Sequence, residues 1–434
     1  MPTRIPPAAA HEEIAASKDE DVQVRLDRAL QRYFNERYQT YGRFVRFTSC
    51  FSDSSRTAEA RRSDAVAHLS RFRPFSFNNL SEGANRDEYS DVLLRRKLLG
   101  FSAVPFLPAP TFRRHSPLYW GFMASIEEYA EHVSAYVCTK VVPFPVSNTG
   151  NTADRGGPRR LGLLRTDNPG YPGLQKLALL VRERVTACGG NFVAEATYPT
   201  VFGIDVETRR PGYGQENMAR FQQDGVTTVI WPGGWETEQS RAAASLGYRP
   251  EWIMAGDYQV EGYDVGQLQE QSVWQYAVVM TNVTREGQFE ENLCYLAALE
   301  ADPEFPRQDA SYACPLGQVY ESLRQLFTGI QVAGPKLTPG TMERGYRAIP
   351  AVRSNDARVP ACFYDPGEFT CVKDAQAMWW DPSAAPRNNT RGCWRMMEGG
   401  RRYLTAAWPG GDILAQKDAG RDVCNGFAAS GLGG

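Results

Sequence analysis

Histidine is nearly missing from this chain. The four present, His11, His68, His115 and His132, lie far apart, and no two have the spacing of shared metal ligands or of a base beside a nucleophile. The motifs that chemistry imposes on enzymes are also lacking. There is no GxSxG elbow, no GxxxxGK[ST] phosphate loop, no GxGxxG after a strand and no HExxH helix. No run approaches 18 apolar residues, which argues against a membrane-spanning helix, and the first twenty residues have no apolar core of the signal-peptide kind. An excess of one charge is missing too. With 48 Lys and Arg against 50 Asp and Glu, the chain has no concentrated basic face for phosphate neutralisation, and its longest basic cluster is Arg95-Arg96-Lys97. Nucleic acid is therefore not an expected partner, and neither a metal nor a cofactor is expected.

What is present is bulk and cysteine. A length of 434 residues, 42% of them hydrophobic, is enough for a large core split into two lobes. Cys50, Cys138, Cys188, Cys294, Cys314, Cys362, Cys371, Cys393 and Cys424 are many for a reducing compartment, and no CxxC occurs. We read them as structural disulfides. Cys362 with Cys371, Cys294 with Cys314 and Cys393 with Cys424 are plausible local pairs, and an odd count leaves at least one thiol.

Residues 1–20 carry Pro, Ala and charge without apolar periodicity and read as a loose arm. From Asp21 the chain alternates helical and strand patterns: a helix face at Leu26, Leu30, Tyr33 and Phe34, a strand at Phe44 to Phe47, a helix from Ala58 to Leu69 and a strand from Pro74 to Phe77. A helix from Tyr89 to Leu98, a strand from Ala103 to Leu107 and a helix around Ile126 to Val137 follow. Residues 143–160, rich in Pro, Gly, Asn and Thr, are written like a crossover. Strands at 161–164, 192–197, 226–231 and 252–255 then alternate with helices, followed by a strand at 276–280, helices at 293–299, 319–330 and 342–346, and a Cys- and Trp-rich end. Such alternation predicts an α/β fold with parallel sheets covered by helices.

Polar, aromatic or glycine-rich turns follow several strands, and open α/β sheets bind ligands at such carboxyl ends. In the first half these are Asn78-Asn79 and Pro108-Ala109-Pro110, with Tyr119-Trp120 slightly later. In the second half, Asp167 to Tyr171 offers carboxylate, amide and phenol before a helix, as an anion site or an ordinary cap. Asp257 and Tyr258 after Gly256 place a carboxylate where a ligand cation would meet it, or cap a helix. Trp231, ahead of Gly233, stacks on a ligand or covers the sheet.

The stretch Arg28 to Ser52, with Tyr33-Phe34-Asn35-Glu36-Arg37 and Gly42-Arg43, resembles the opening of type I periplasmic binding proteins of ABC importers, the family of branched-chain amino-acid (Leu/Ile/Val) receptors. Val104-Pro105, Leu161 to Tyr171, Gly225 to Trp231 and Ala255 to Asp257 match its later strands. Tyr364-Asp365-Pro366-Gly367 through Met378-Trp379-Trp380-Asp381 is similar to actinobacterial versions. The resemblance runs over nearly the whole chain from Asp21, by order of elements more than by signature. It implies two Rossmann-like lobes with parallel central sheets joined by a multi-strand hinge. Lobe 1 would hold 21–145 and 280–350, lobe 2 would hold 155–278 and 355–410, and 411–434 would be a tail. It further implies a non-catalytic monomer in the extracytoplasmic space, lipid-anchored in its precursor. Such a protein captures an amino acid, an amide or a related small molecule in an interlobe cleft and delivers it to an ABC permease. The ligand set it implies is Asn78, Asn79, Pro108, Ala109, Tyr119, Asp167, Tyr171, Trp231, Gly233, Asp257 and Tyr258. The sequence departs from the family before the helix at Leu26, where the first strand has no visible counterpart. It also carries Asn78-Asn79-Leu80-Ser81 in place of a Ser/Thr-rich turn, which leaves the ligand class open. A sensory module on the same fold is the alternative reading, and an enzyme using Asp167 and Asp257 is a third.

Overall fold

A computed structural model describes residues 3–5, 18–48, 50, 57–79, 87–102, 107–169, 171–199, 212–233, 236–256, 260–283, 289–306, 318–351, 359–384 and 391–413. The elements run β1 (Thr3–Ile5), α1 (Lys18–Arg37), β2 (Arg46–Phe47), α2 (Ala58–Phe72), β3 (Ser76–Asn79), α3 (Glu88–Arg95), β4 (Leu99–Ser102), α4 (Ala109–Arg114), β5 (Tyr119–Gly121) and α5 (Ile126–Lys140). Next come β6 (Leu161–Thr166), α6 (Pro172–Ala187), β7 (Phe192–Tyr198), α7 (Tyr213–Gln223), β8 (Thr228–Pro232), α8 (Glu238–Ser245), β9 (Glu251–Ala255), α9 (Tyr263–Leu268), α10 (Gln271–Trp274) and β10 (Ala277–Thr281). The chain closes with α11 (Leu293–Ala301), α12 (Gln318–Ala333), α13 (Pro339–Arg347), β11 (Asp374–Asp381), β12 (Cys393–Met396) and β13 (Tyr403–Leu404).

These elements form two compact units. The first comprises Met1–Ser125, Glu290–Arg353 and Ala361–Val372, and the second Ile126–Phe289, Ser354–Pro360 and Lys373–Gly434.

In the first unit five strands lie in the order β2-β1-β3-β4-β5, all parallel. The reading of residues 1–20 as a loose arm is corrected here. Thr3–Ile5 is the sheet's first strand, pairing with Arg46–Phe47 on one side and Ser76–Phe77 on the other. Three residues are too few to show a period, so the sequence pattern was blind to it. Helix α1 buries Leu26, Leu30 and Phe34, spaced four apart on one face, and the Phe34 ring stacks on Phe327 of α12 with centroids 5.2 Å apart. Thr338 and Thr341 close a capping box at the start of α13.

In the second unit the order is β12-β11-β10-β9-β8-β6-β7, with β13 beside β11. Strands β6 to β10 are parallel, and β11 and β12 add an antiparallel edge. The inner strands β8, β9 and β10 are buried along their whole length, with both faces covered as a parallel sheet requires, while the edge strand β7 alternates buried and half-buried residues. Its core is unusually rich in indole: Trp231, Trp252, Trp274, Trp380 and Trp394 are all fully buried in one cluster.

Three expected boundaries shift. Helix α5, assigned above to lobe 1, belongs to the second unit, where it lies along α6 and the Cys138–Cys188 disulfide holds it. Residues 361–372 belong to the first unit, because Thr370 bridges Gly121 and the Trp120 ring packs on Tyr364 and Phe369. Asp412, placed in a separate tail, pairs with Arg159 of the second unit. The strand expected at Ala103 to Leu107 ends earlier, at Ser102, and residues 103–106 lie outside the described residues.

The expected Cys362–Cys371 pair is present. Cys294 and Cys393 are also disulfide-bonded, while Cys314 and Cys424 lie outside the described residues. The Cys138–Cys188 bond was not anticipated, because its partners are 50 residues apart. Cys50 keeps its thiol, and burial pushes its pKa up to about 12.

Candidate functional site

Counted from the first strand of each unit, both parallel sheets have the order 2-1-3-4-5: β2-β1-β3-β4-β5 in one and β7-β6-β8-β9-β10 in the other. In this doubly wound order the chain leaves strand one toward one side and strand three toward the other, which opens a crevice at their carboxyl ends. In this chain those crevices lie at the ends of β1 and β3 in the first unit and of β6 and β8 in the second.

In the first unit β3 ends on Asn78-Asn79. The Asn78 amide is almost wholly buried and donates to Ser322 Oγ at 2.8 Å, while its Oδ1 is buried without a hydrogen-bond partner. A native interior rarely leaves such an acceptor open, and doing so costs about 1–3 kcal/mol. The Asn79 backbone pairs with Ser102, and its side chain is outside the described residues. Pro108 caps α4 through its carbonyl, which accepts from Thr111 N at 2.9 Å, and Ala109 is the helix's first residue. Tyr119 is corrected: it is fully buried in β5, with its ring 5.0 Å from Phe112 and 6.2 Å from Phe77, and is a core residue.

In the second unit β6 ends at Thr166, and the turn that follows is stitched together locally. Thr166 Oγ1 accepts from Asn168 N at 3.1 Å, and the Asn168 carbonyl accepts from Tyr171 N and from the Gln175 side chain. Asp167 does not cap α6. The N-cap position is Tyr171, with no side-chain cap bond, and the exposed Asp167 carboxylate accepts from Thr197 Oγ1 at 3.0 Å. Asp167 and Tyr171 thus both lie in the turn between β6 and α6.

Strand β8 ends in Pro232-Gly233. Gly233 has a φ of +81°, a left-handed turn that glycine adopts without strain, and its carbonyl accepts from Tyr198 Oη at 3.3 Å. Trp231 is corrected: it is wholly buried against Tyr198, Trp252 and Trp274 and faces the core. Asp257 and Tyr258 lie outside the described residues. The backbone leading to them is tightly held, since a Cβ on Gly256 would sit 2.0 Å from Glu261 Oε1, and Glu261 accepts from Thr281 Oγ1 at the end of β10.

Sequence reasoning missed one group altogether. Glu236, just past the β8 turn, is buried, and its Oε2 accepts from Tyr213 Oη at 2.9 Å and Glu238 N at 2.8 Å. Burial raises its pKa from 4.5 to about 7. Beside it Gln239 is fully buried. Nothing in Trp235-Glu236-Thr237-Glu238 distinguishes it from a solvated helix start, and only the fold buries it.

Among the described residues no group of His, Cys, Asp and Glu could hold a metal ion, and no helix is long and apolar enough to cross a membrane.

No family model matches the sequence, and no curated protein does. Solved structures do match over nearly the full length. A branched-chain amino-acid ABC transporter periplasmic ligand-binding protein from Burkholderia xenovorans is 12% identical, with 94% of this chain and 97% of that one covered and a TM-score of 0.62. A branched-chain amino-acid ABC transporter protein from Thermus thermophilus with bound valine is 12% identical (94% and 95% covered, TM-score 0.57). A solute-binding protein of an ABC transporter from Rhodopseudomonas palustris, in complex with 3,4-dihydroxybenzoic acid, is also 12% identical (90% and 94% covered, TM-score 0.56). At this identity the likeness establishes architecture, and the architecture of this chain is the type I periplasmic binding protein fold.

Proposed function

We propose that the protein is an extracytoplasmic solute receptor. It captures a small molecule with the residues at the carboxyl ends of its two parallel sheets and delivers it to an ABC permease. The observation that carries this reading is the repeated 2-1-3-4-5 order, with polar groups at the ends of the strands that flank each crevice: Asn78 in one unit, and Asp167, Tyr171 and the Gly233 turn in the other. Asn79, Pro108, Ala109, Asp257 and Tyr258 complete the proposed set. The neighbours' bound valine and 3,4-dihydroxybenzoate support a small carboxylate-bearing ligand. We further propose that the protein acts as a monomer without a cofactor, is lipid-anchored in its precursor, and turns over no substrate.

A thermal-shift screen of the purified chain against amino acids, amides, urea-like compounds, aromatic acids and sugars tests the reading, because a ligand that binds only the folded state raises the melting temperature. One class should give a saturable rise and be recovered unchanged. Chemical consumption of that ligand would overturn the receptor reading in favour of an enzyme.

A further inference from the structure

The second unit carries a cavity of about 300 Å³ at the edge of its sheet opposite the strand ends discussed above. Its walls come from the loop before β6, the residues just ahead of β10, and the end of β11, with Asn148, Thr149, Arg155, Tyr276, Trp379 and Pro382 among them. Glu251 opens β9 and Tyr276 precedes β10, so this is the amino-terminal edge of the parallel strands. Trp379 reaches it because β11 runs antiparallel, pairing Trp379 with Val278.

The walls are fixed. Ser147 N and Asn148 N donate to Glu251 Oε1 at 3.0 and 2.7 Å, the Asn148 amide donates to the Tyr276 carbonyl at 3.0 Å, and Thr149 Oγ1 donates to the Arg249 carbonyl at 2.7 Å. The loop is pressed so closely onto the ring that a Cβ on Gly150 would lie 2.6 Å from Tyr276 Cε2. A cavity whose walls are already bonded costs little ordering entropy to fill.

Its chemistry is specific. Two aromatic side chains, Tyr276 and Trp379, neither fully buried, offer flat apolar contact. Arg155 is exposed, and its Nε and Nη2 donate to the Thr149 carbonyl at 3.1 and 2.9 Å. Those bonds hold the guanidinium plane in place while Nη1 makes no hydrogen bond to any described residue, and no described carboxylate pairs with Arg155. A fixed guanidinium edge beside aromatic walls is complementary to a flat anion. The geometry points to a second ligand site, for a small planar aromatic carboxylate that packs its ring on Trp379 and Tyr276 and sets its carboxylate against Arg155 Nη1.

The test uses the full chain labelled with 5-fluorotryptophan, with benzoate and indole-3-carboxylate as probes. The nine tryptophans give nine ¹⁹F signals, and Trp379→Phe assigns the one that matters. Either probe should shift the Trp379 signal saturably. Arg155→Gln should weaken that titration at least about tenfold, the scale of a lost charge-assisted hydrogen bond, and Arg155→Lys should weaken it less. Benzamidine, a flat cation, should leave the signal in place. The same spectrum reports whether each variant is folded, and Arg155→Lys decides the matter should Arg155→Gln fail to fold. Shifts confined to other tryptophans, an unchanged titration in the Arg155 variants, or no saturable shift would overturn the proposal.

Discussion

Arg159 and Glu251 form a doubly bonded ion pair, Nε to Oε2 at 2.8 Å and Nη2 to Oε1 at 3.0 Å, with both side chains at 2% exposure or less. The Glu251 carboxylate also accepts from Ser147 N, Asn148 N and Thr228 Oγ1, and Arg159 reaches the carbonyls of Val141 and Phe144. One carboxylate thus organises the crossover loop, the start of β9 and a wall of the cavity beside Trp379. Buried pairs of this kind gain little over apolar packing but are costly to break from one side. Glu251→Leu should lose about 3–5 kcal/mol in urea denaturation and abolish the Trp379 response to benzoate. A loss below about 1 kcal/mol would show that the pair organises nothing.

Glu236 makes stability depend on pH in a definite direction. Its pKa is 4.5 ordinarily and about 7 in the folded chain, where burial disfavours the charged form and the groups facing it are Tyr213, Glu238 and Gln239. The folded state therefore holds the proton more tightly than the unfolded chain between those values, so the contribution to stability is full below pH 4.5, falls as pH rises toward 7, and is flat above. The size is on the order of 3 kcal/mol. Melting temperatures from pH 4 to 8 should decline more steeply in the native chain than in Glu236→Gln, and parallel curves would refute it.

The Cys138–Cys188 bond ties the last turn of α5 to the end of α6 across 50 residues. Closing a loop of that length restricts the unfolded chain, a contribution of about 3–4 kcal/mol. The double variant Cys138→Ser/Cys188→Ser should show that loss in its urea midpoint. The Cys362–Cys371 bond, over nine residues, should contribute less.

Trp231 and Asp167 should separate packing from recognition. Trp231→Ala opens a cavity among fully buried indoles and should cost about 3–5 kcal/mol. Asp167→Asn sits on an exposed carboxylate and should stay within about 0.5 kcal/mol in stability, yet weaken binding of whichever ligand the thermal-shift screen identifies. Unchanged affinity in Asp167→Asn would remove this residue from the site.

The regular repeat of helix and strand was legible because burial imposes periods of 3.6 and 2 that twelve or more residues can display. The turn at Asp167 to Tyr171 was legible because Pro, Gly and Asn announce a break. Thr3–Ile5 was not, since a three-residue strand displays no period. Tyr119 stands in the implied ligand set, and Trp231 is left between stacking on a ligand and covering the sheet, because an aromatic at a strand end looks the same in sequence whether the sheet's flanking helices cover it or not. Glu236 and the cavity beside Trp379 were invisible for a different reason. Their neighbours come from segments that only the fold brings together, more than a hundred residues apart in the case of Tyr276 and Trp379.

Each unit is assembled from three separate stretches of chain, and the first is complete only when residues 361–372 are added to 1–125 and 290–353. Biosynthesis inherits that interleaving. A nascent chain that has emerged to residue 289 holds the five parallel strands of the second unit, but not the antiparallel strand that flanks β10, and lacks α11, α12 and α13 of the first. Neither half can be cut out as a continuous gene fragment, and a stop codon anywhere before residue 373 leaves both unfinished. Isolated lobes would have to be made by joining their separate segments, since moving the termini alone leaves the two sets of segments alternating.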